Sequence, residues 1–304
     1  MSLVKISCSR QVFGLLFLVG VCFSATSQEN SIIAEDAKPV LIASAYEFTE
    51  GPATDKEGNV YFTDQPNDQI IKWSASDNTL EVFLKPSGRS NGLYFDHDGN
   101  LIACADEKNE LWRIDKQKNI TVLVNGFDHK KMNGPNDLWI DSKGGIYLTD
   151  PFYKRTWWNH ETTEQESERV YYLSPDKKDL RIVADGFVRP NGIIGTPDGK
   201  TLYIADIGDK KTYSYTINED SSLTDKKLFT AMGSDGMTLD NQGNVYLTGD
   251  GVTVFNVEGE QIQHIPINQK WTANVTFGGK DKNKLFITAM NSVYLLDMNV
   301  TSAY

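Results

Sequence analysis

The sequence predicts an all-β protein, a six-bladed β-propeller of four-stranded blades, and three observations carry that prediction. A short polar motif opens an apolar β-type run six times, at Glu50-Gly51-Pro52, Asn91-Gly92-Leu93, Asn136-Asp137-Leu138, Asn191-Gly192-Ile193, Asp235-Gly236-Met237 and Asn274-Val275-Thr276. The interval of about 40 to 55 residues is that of a propeller blade. After each motif comes a Gly-, Asn- or Lys-containing turn and a second apolar strand, VYFTD at 60–64, LIACAD at 101–106, IYLTD at 146–150, TLYIAD at 201–206, VYLTGD at 245–250 and LFITAM at 285–290. Finally, the sixth blade runs out of chain after three strands, while an unassigned β-type segment at 39–48 precedes the first. That segment is expected to supply the last blade's outer strand, closing the ring and removing its open edges.

The elements follow in order. Third strands are read at 69–75, 110–116, 169–175, 211–217, 252–257 and 292–298, where apolar and polar residues alternate. Fourth strands are read at 79–84, 120–126, 180–186, 224–230 and 261–267. One connection breaks the rhythm: residues 151–168, PFYKRTWWNHETTEQESE, separate the second and third strands of blade three and carry Tyr153, Arg155, Trp157, Trp158 and His160. Long ordered loops in compact domains are usually functional, so this one is a candidate lid.

A chain of 304 residues, 39% of them hydrophobic, has ample material for a large core. Residues 1–27 are set aside as a secretory signal: Lys5 and Arg10, an apolar run at 12–23, then the small-residue cleavage pattern Ala25-Thr26-Ser27. The run is short for a permanent anchor, and Val21 before Cys22 does not fit a lipidation site. Residues 28–304 are then one propeller domain, secreted across the inner membrane to the periplasm or beyond it to the exterior. Cys104 is the only remaining thiol, so no intramolecular disulfide forms. Losing Lys5 and Arg10 leaves 28 basic residues against 41 acidic, a net charge of −13. Such a surface repels phosphate backbones, which argues against nucleic acid and anionic membranes.

If each motif starts the innermost strand of its blade, the six polar side chains face one axis. Glu50, Asn136, Asn191 and Asp235 then form an all-oxygen set suited to a hard divalent cation, with two carboxylates to balance its charge. No histidine or cysteine occupies these positions, which disfavours zinc. Taken singly, each Asn-Gly or Asp-Gly reads as a bend, and Gly51, Gly92, Gly192 and Gly236 are expected to satisfy that bend by themselves. Asn91 and Asn274 are further axial candidates for substrate or water, or shapers of a turn. Trp73, Trp112, Trp139 and Tyr172 are expected as packing between sheets.

The segments EGPATD, GPNDLWID, LTDPFY, RPNGIIGTPDGKTLYIAD and SDGMTLDNQGNVYLT resemble, as an ordered set, the senescence-marker-protein-30/gluconolactonase family. The resemblance implies a six-bladed propeller acting as a divalent-metal-dependent sugar lactonase, with Ca²⁺ in first place and Mg²⁺, Mn²⁺ or Zn²⁺ as alternatives. It implies Glu50, Asn191 and Asp235 as metal ligands, Asn136 as fourth ligand or substrate contact, and Asp235 as general base. Vertebrate-type members have an arginine two residues before the Asn136 equivalent, where this chain has Gly134. Arg89, Arg155 and Arg189 are candidates to replace it, and Arg155 and Tyr153 are read as substrate contacts from the long loop. A phosphotriesterase- or paraoxonase-like hydrolase and a non-catalytic ligand-binding propeller stand as alternatives, since fold alone does not decide function. No G-x-S-x-G elbow is present.

Overall fold

The computed structural model describes residues 1–3 and 31–304. Most of the expected signal segment, with Cys8, Cys22 and the expected cleavage point, lies outside the described residues. Strand β1 (Val40–Ala43) comes first, and blade one follows with β2 (Thr49–Thr54), β3 (Val60–Asp64), β4 (Gln69–Trp73) and β5 (Leu80–Leu84). Blade two has β6 (Ser90–Phe95), β7 (Leu101–Ala105), β8 (Glu110–Ile114) and β9 (Ile120–Val124), and blade three β10 (Leu138–Ile140), β11 (Ile146–Asp150), β12 (Arg169–Leu173) and β13 (Leu180–Ala184). Blade four has β14 (Pro190–Gly195), β15 (Thr201–Asp206), β16 (Lys211–Ile217) and β17 (Leu223–Thr230), and blade five β18 (Met237–Leu239), β19 (Val245–Gly249), β20 (Gly251–Phe255) and β21 (Gln261–Ile265). Blade six has β22 (Asn274–Gly278), β23 (Lys284–Ala289) and β24 (Ser292–Asp297).

Each sheet runs in simple antiparallel order from inner to outer strand, and the sixth reads β22, β23, β24, β1. The N-terminal strand closes the ring, with Val40 opposite Leu295 and Leu41 opposite Tyr294. The inner strands form a closed circle, β2 lying beside β6 and β22, β10 beside β6 and β14, and β18 beside β14 and β22.

Burial grades outward in a way the sequence pattern dictates. Strands β3, β7, β11 and β19 are buried along their whole length, because both faces meet a neighbouring blade. Outer strands are exposed or half-buried along most of their length, leaving Val82, Ile120, Val122 and Ile182 at the surface. Between blades one and six, Phe62 and Phe286 meet at 5.5 Å between centroids and Trp73 and Phe286 at 5.8 Å. Each such fully buried apolar side chain contributes about 1.5–3 kcal/mol, so the seam is held by packing as well as by β1. Trp73, Trp139 and Tyr172 are buried, and so is the free thiol of Cys104, whereas Trp112 is only half-buried, its indole N–H donating to Glu110 Oε2 at 2.6 Å.

The motif glycines work differently from the expected bend. Only Gly51 has a left-handed backbone, φ 45°. What unites them is close approach: a Cβ on Gly51 would lie 2.1 Å from the Asn91 carbonyl oxygen, on Gly92 2.4 Å from that of Asn136, on Gly192 2.9 Å from that of Asp235, and on Gly236 1.9 Å from the Asn274 side chain. The glycines let adjacent inner strands converge on the axis, and Gly92 N donates to Asn136 O at 2.8 Å across that approach.

Candidate active site

The motif side chains reach the axis because the inner strands start irregularly. Ladder register shifts between Glu50 and Ala53, between Ser90 and Leu93, and between Pro190 and Ile193. Such bulges re-aim side chains. In blades three and five the ladder begins only at the third motif residue, Leu138 and Met237, and just before it Thr149 and Thr248 hydroxyls accept from Asp137 N at 3.1 Å and Gly236 N at 2.8 Å. Blade six is the exception: Asn274 pairs with Thr288 in unbroken register.

The consequence is a polar cavity of about 270 Å³ lined by Glu50, Asn91, Asn136, Tyr153, Arg155, Asn191 and Asp235, together with Phe48, Gln65, Ile207 and Trp271. Of the six motif side chains expected at the axis, Asn274 alone is not part of this lining; of the three candidate arginines, Arg155 lines it and Arg89 and Arg189 do not. Asn274 Nδ2 donates to Glu50 Oε2 at 3.4 Å, and Asn274 lines a larger chamber of about 890 Å³ toward the far ends of the inner strands. His160 stacks on Trp158 at 4.7 Å and is not part of the cavity lining.

Within the cavity, Asp235 is fixed from two sides. Asn191 Nδ2 donates to Oδ1 at 2.7 Å and Trp271 Nε1 to Oδ2 at 2.6 Å. Asn191 Nδ2 also donates to the Tyr153 hydroxyl at 3.0 Å. Burial pushes the Asp235 carboxyl up to about 6, against the lowering effect of these two donors. Burial also pushes Glu50 well above the usual carboxylate range, and the charge of Asp235 adds to it; Gly51 N donates to Glu50 Oε2 at 2.9 Å in opposition. Asn91 and Asn136 are buried residues, and their side-chain amides make no hydrogen bond among the described residues. Among the described residues no three His, Cys, Asp or Glu side chains cluster to hold a metal. The oxygen set therefore depends on the amides, with only two carboxylates.

Sequence reasoning missed several contributors. Asp64, Asp150 and Asp206 end their second strands and accept backbone N–H groups of the segment leading into an inner strand: Phe48 at 3.2 Å, Gly134 at 2.8 Å and Arg189 at 2.8 Å. Asp106 holds the same repeat position in blade two but is released from that duty, because Asp68 accepts from Arg89 N at 2.7 Å instead. Asp106 Oδ2 accepts from Arg155 Nε at 2.8 Å and Gln65 Nε2 at 3.1 Å, while its carbonyl takes Trp158 Nε1 at 2.7 Å. Burial raises its carboxyl to about 6, although Arg155 pulls the other way. The repeated strand-ending Asp was visible in the sequence; its change of partner was not. Asp137, whose Oδ1 accepts from Leu138 N at 2.9 Å, is likewise buried and raised to about 7, and lines the larger chamber. Trp271 had no signal, being a lone aromatic between β21 and β22.

The long loop lies against the site. Tyr153 and Arg155 line the cavity, and Trp157 receives the Arg89 guanidinium at 4.7 Å. Gly134 sits at φ 154°, and a Cβ there would meet Asp106 Oδ1 at 2.9 Å and the Trp158 ring at 3.0 Å. The room a side chain would need at 134 is thus filled by Asp106 and the loop.

A closed six-blade ring with a buried set of carboxylates and amides at its axial mouth defines a propeller of the small-molecule hydrolase or ligand-binding class. The chain belongs to the SMP-30/Gluconolactonase/LRE-like family, whose model matches residues 48–291. A gluconolactonase of Zymomonas mobilis is 30% identical over 284 residues, covering 83% of this chain and 79% of its own. A lactonase, drp35, of Staphylococcus epidermidis is 24% identical, covering 76% and 67%. The solved structure of a gluconolactonase from Xanthomonas campestris superposes with a TM-score of 0.81 at 27% identity, covering 88% of this chain and 91% of that one.

Proposed function

We propose that the chain hydrolyses a sugar lactone in the axial cavity, with a divalent cation held by Glu50, Asn136, Asn191 and Asp235. The observation that carries this reading is the convergence of these four side chains, from four blades, on one small polar cavity. The donor set fits a hard cation: burial raises the proton affinity of both carboxylates, the charge of Asp235 raises Glu50 further, and the Asn136 side chain has no hydrogen-bond partner among the described residues. Ca²⁺ suits such an irregular oxygen set best, with Mg²⁺, Mn²⁺ or Zn²⁺ as alternatives. The cation supplies Lewis acidity toward the lactone carbonyl.

The chain's own residues do the rest. Trp271 and Asn191 hold the Asp235 carboxylate in one orientation, from which it takes the proton of the attacking water. Water adds to the carbonyl carbon, the ring C–O bond breaks, and the released alkoxide takes a proton. Asn91, Gln65 and Arg155 offer hydrogen bonds to sugar hydroxyls, and Tyr153 and Trp271 offer ring faces. Seven of the eleven lining residues are amides or charged groups, which can hydrogen-bond the hydroxyls of a sugar lactone.

Secretion to the periplasm, after removal of residues 1–27, is part of this reading; N-terminal sequencing of the mature protein should begin at Gln28. The decisive assay is hydrolysis of an aldonolactone panel by metal-stripped and metal-restored protein, alongside Asp235→Asn. Restoration by a divalent cation and loss in the variant are expected. Equal rates before and after stripping would end the metal hypothesis, and cation binding without ester opening would leave a binding propeller.

A further inference from the structure

Three arginines gather beside this site, from three consecutive blades: Arg155 lines the cavity, Arg189 packs on the lining residue Tyr153, and Arg89 packs on Trp157 of the same loop. Arg89 and Arg189 each stand two residues before a motif asparagine, Asn91 and Asn191. Blade three has Gly134 at that position, and its loop sends Arg155 instead. The three guanidinium groups share two aromatic rings: Arg189 lies 5.0 Å and Arg155 5.3 Å from the centre of Tyr153, while Arg89 lies 4.7 Å and Arg155 5.6 Å from that of Trp157. Tyr153 in turn takes the Asn191 hydrogen bond beside Asp235.

Three of the chain's seven arginines are gathered here, in a protein whose acids outnumber its bases 41 to 30. Their hydrogen-bonding capacity is largely unspent. Arg155 commits Nε to Asp106, Arg89 commits one terminal nitrogen to Pro66 O at 2.7 Å and leaves its buried Nε without a partner, and Arg189 forms no ion pair among the described residues. Only one of the three charges is matched by a carboxylate in contact. Guanidinium groups in partly desolvated surroundings favour planar anions, which they bind through paired N–H donors. A neutral aldonolactone uses none of that charge.

We propose that the preferred substrate is an acidic sugar lactone, one carrying a free carboxylate at the end remote from the ring carbonyl, which Arg155, Arg189 and Arg89 receive. This rests on the lactonase reading above and names the substrate class for the same site. Hydrolysis then converts a monoanion into an open-chain dicarboxylate: water adds to the carbonyl carbon, the ring C–O bond breaks, and the alkoxide is protonated, with no oxidant or reductant.

The test compares kcat/KM for a hexonic acid 1,4-lactone with that for the 1,4-lactone of the matching aldaric acid, on the full chain in Ca²⁺, from about 20 mM to about 0.5 M salt. The acidic lactone is expected to be favoured at least tenfold, with an advantage that shrinks as salt rises. Arg189→Gln is an exposed change that leaves the fold intact, and it should lower the acidic-to-neutral ratio about tenfold, the size of one lost charged hydrogen bond; Arg189→Lys should restore part of it, and Arg155→Lys should act more strongly than Arg189→Lys. A neutral lactone opened as well as the acidic one, or a ratio untouched by Arg189→Gln and Arg155→Lys, overturns the proposal and leaves the lactonase reading standing. Failure to open either lactone overturns both.

Discussion

Trp271 donates its indole N–H to Asp235 Oδ2 at 2.6 Å, which leaves the carboxylate held at both oxygens once Asn191 has taken Oδ1. Trp271→Phe removes one donor and keeps most of the ring. A hydrogen bond to a charged group is worth about 1.5–3 kcal/mol, so lactone kcat/KM should fall roughly 10- to 100-fold. Melting should change little. A variant within twofold of the parent would remove Trp271 from the positioning of Asp235.

Ring closure by β1 makes a stability prediction. Deleting residues 28–48 strips β24 of its partner and uncovers the cluster in which Ile42 and Tyr46 pack on Phe62, Phe286 and Val293. Loss of two such side chains costs about 3–6 kcal/mol. Calorimetry should show a lower and broader transition; unchanged cooperative melting would mean the ring does not depend on this strand.

Gly134 should not tolerate a side chain. Gly134→Ala places a methyl against Asp106 Oδ1 and the Trp158 ring, at a backbone angle that L-residues avoid. A destabilisation of about 1–3 kcal/mol is expected in denaturant titration. An arginine introduced there should fare no better, which explains why the guanidinium arrives from residue 155.

Asp106 sets a pH dependence with a definite sign. Its folded value, about 6, lies above the ordinary 3.8, so the folded state holds the proton more tightly than the unfolded chain. Its contribution to stability is present below about pH 4 and is lost as pH rises through about 6. The amount is about 3 kcal/mol at 1.36 kcal/mol per tenfold. Asp106→Asn does not titrate, so the unfolding free energy of the parent minus that of the variant should decline between pH 4 and 6. A flat difference would show that Arg155 offsets the burial of this carboxylate completely.

Much of the fold was legible in the chain because its repeat is periodic. The six motifs, the turn and second strand after each and the spare segment at 39–48 together specify blade number, strand order and the closing strand, and the structure shows these features. The glycines were legible as special but for the wrong reason: a sequence shows that a Cβ is absent, not which neighbouring strand occupies its place. At the site, Glu50, Asn91, Asn136, Asn191 and Asp235 fall together because their strands start irregularly at equivalent places. Asn274 belongs to the same repeat and is placed elsewhere, because its ladder is regular from its first residue.

The sequence by itself determined the local and the periodic: where strands start, which residue types begin them, and that polar oxygen-bearing side chains recur at one position per blade. Only the tertiary structure decided what no period encodes. Asp106 changed partners from backbone to Arg155, Trp271 came from an unmarked connection to hold Asp235, and the loop at 151–168 filled the room that Gly134 leaves. Those contacts join residues tens of positions apart, and their geometry is fixed by the closed ring, because a side chain's partner across an axis is set by the packing of blades and not by its own neighbours in the chain.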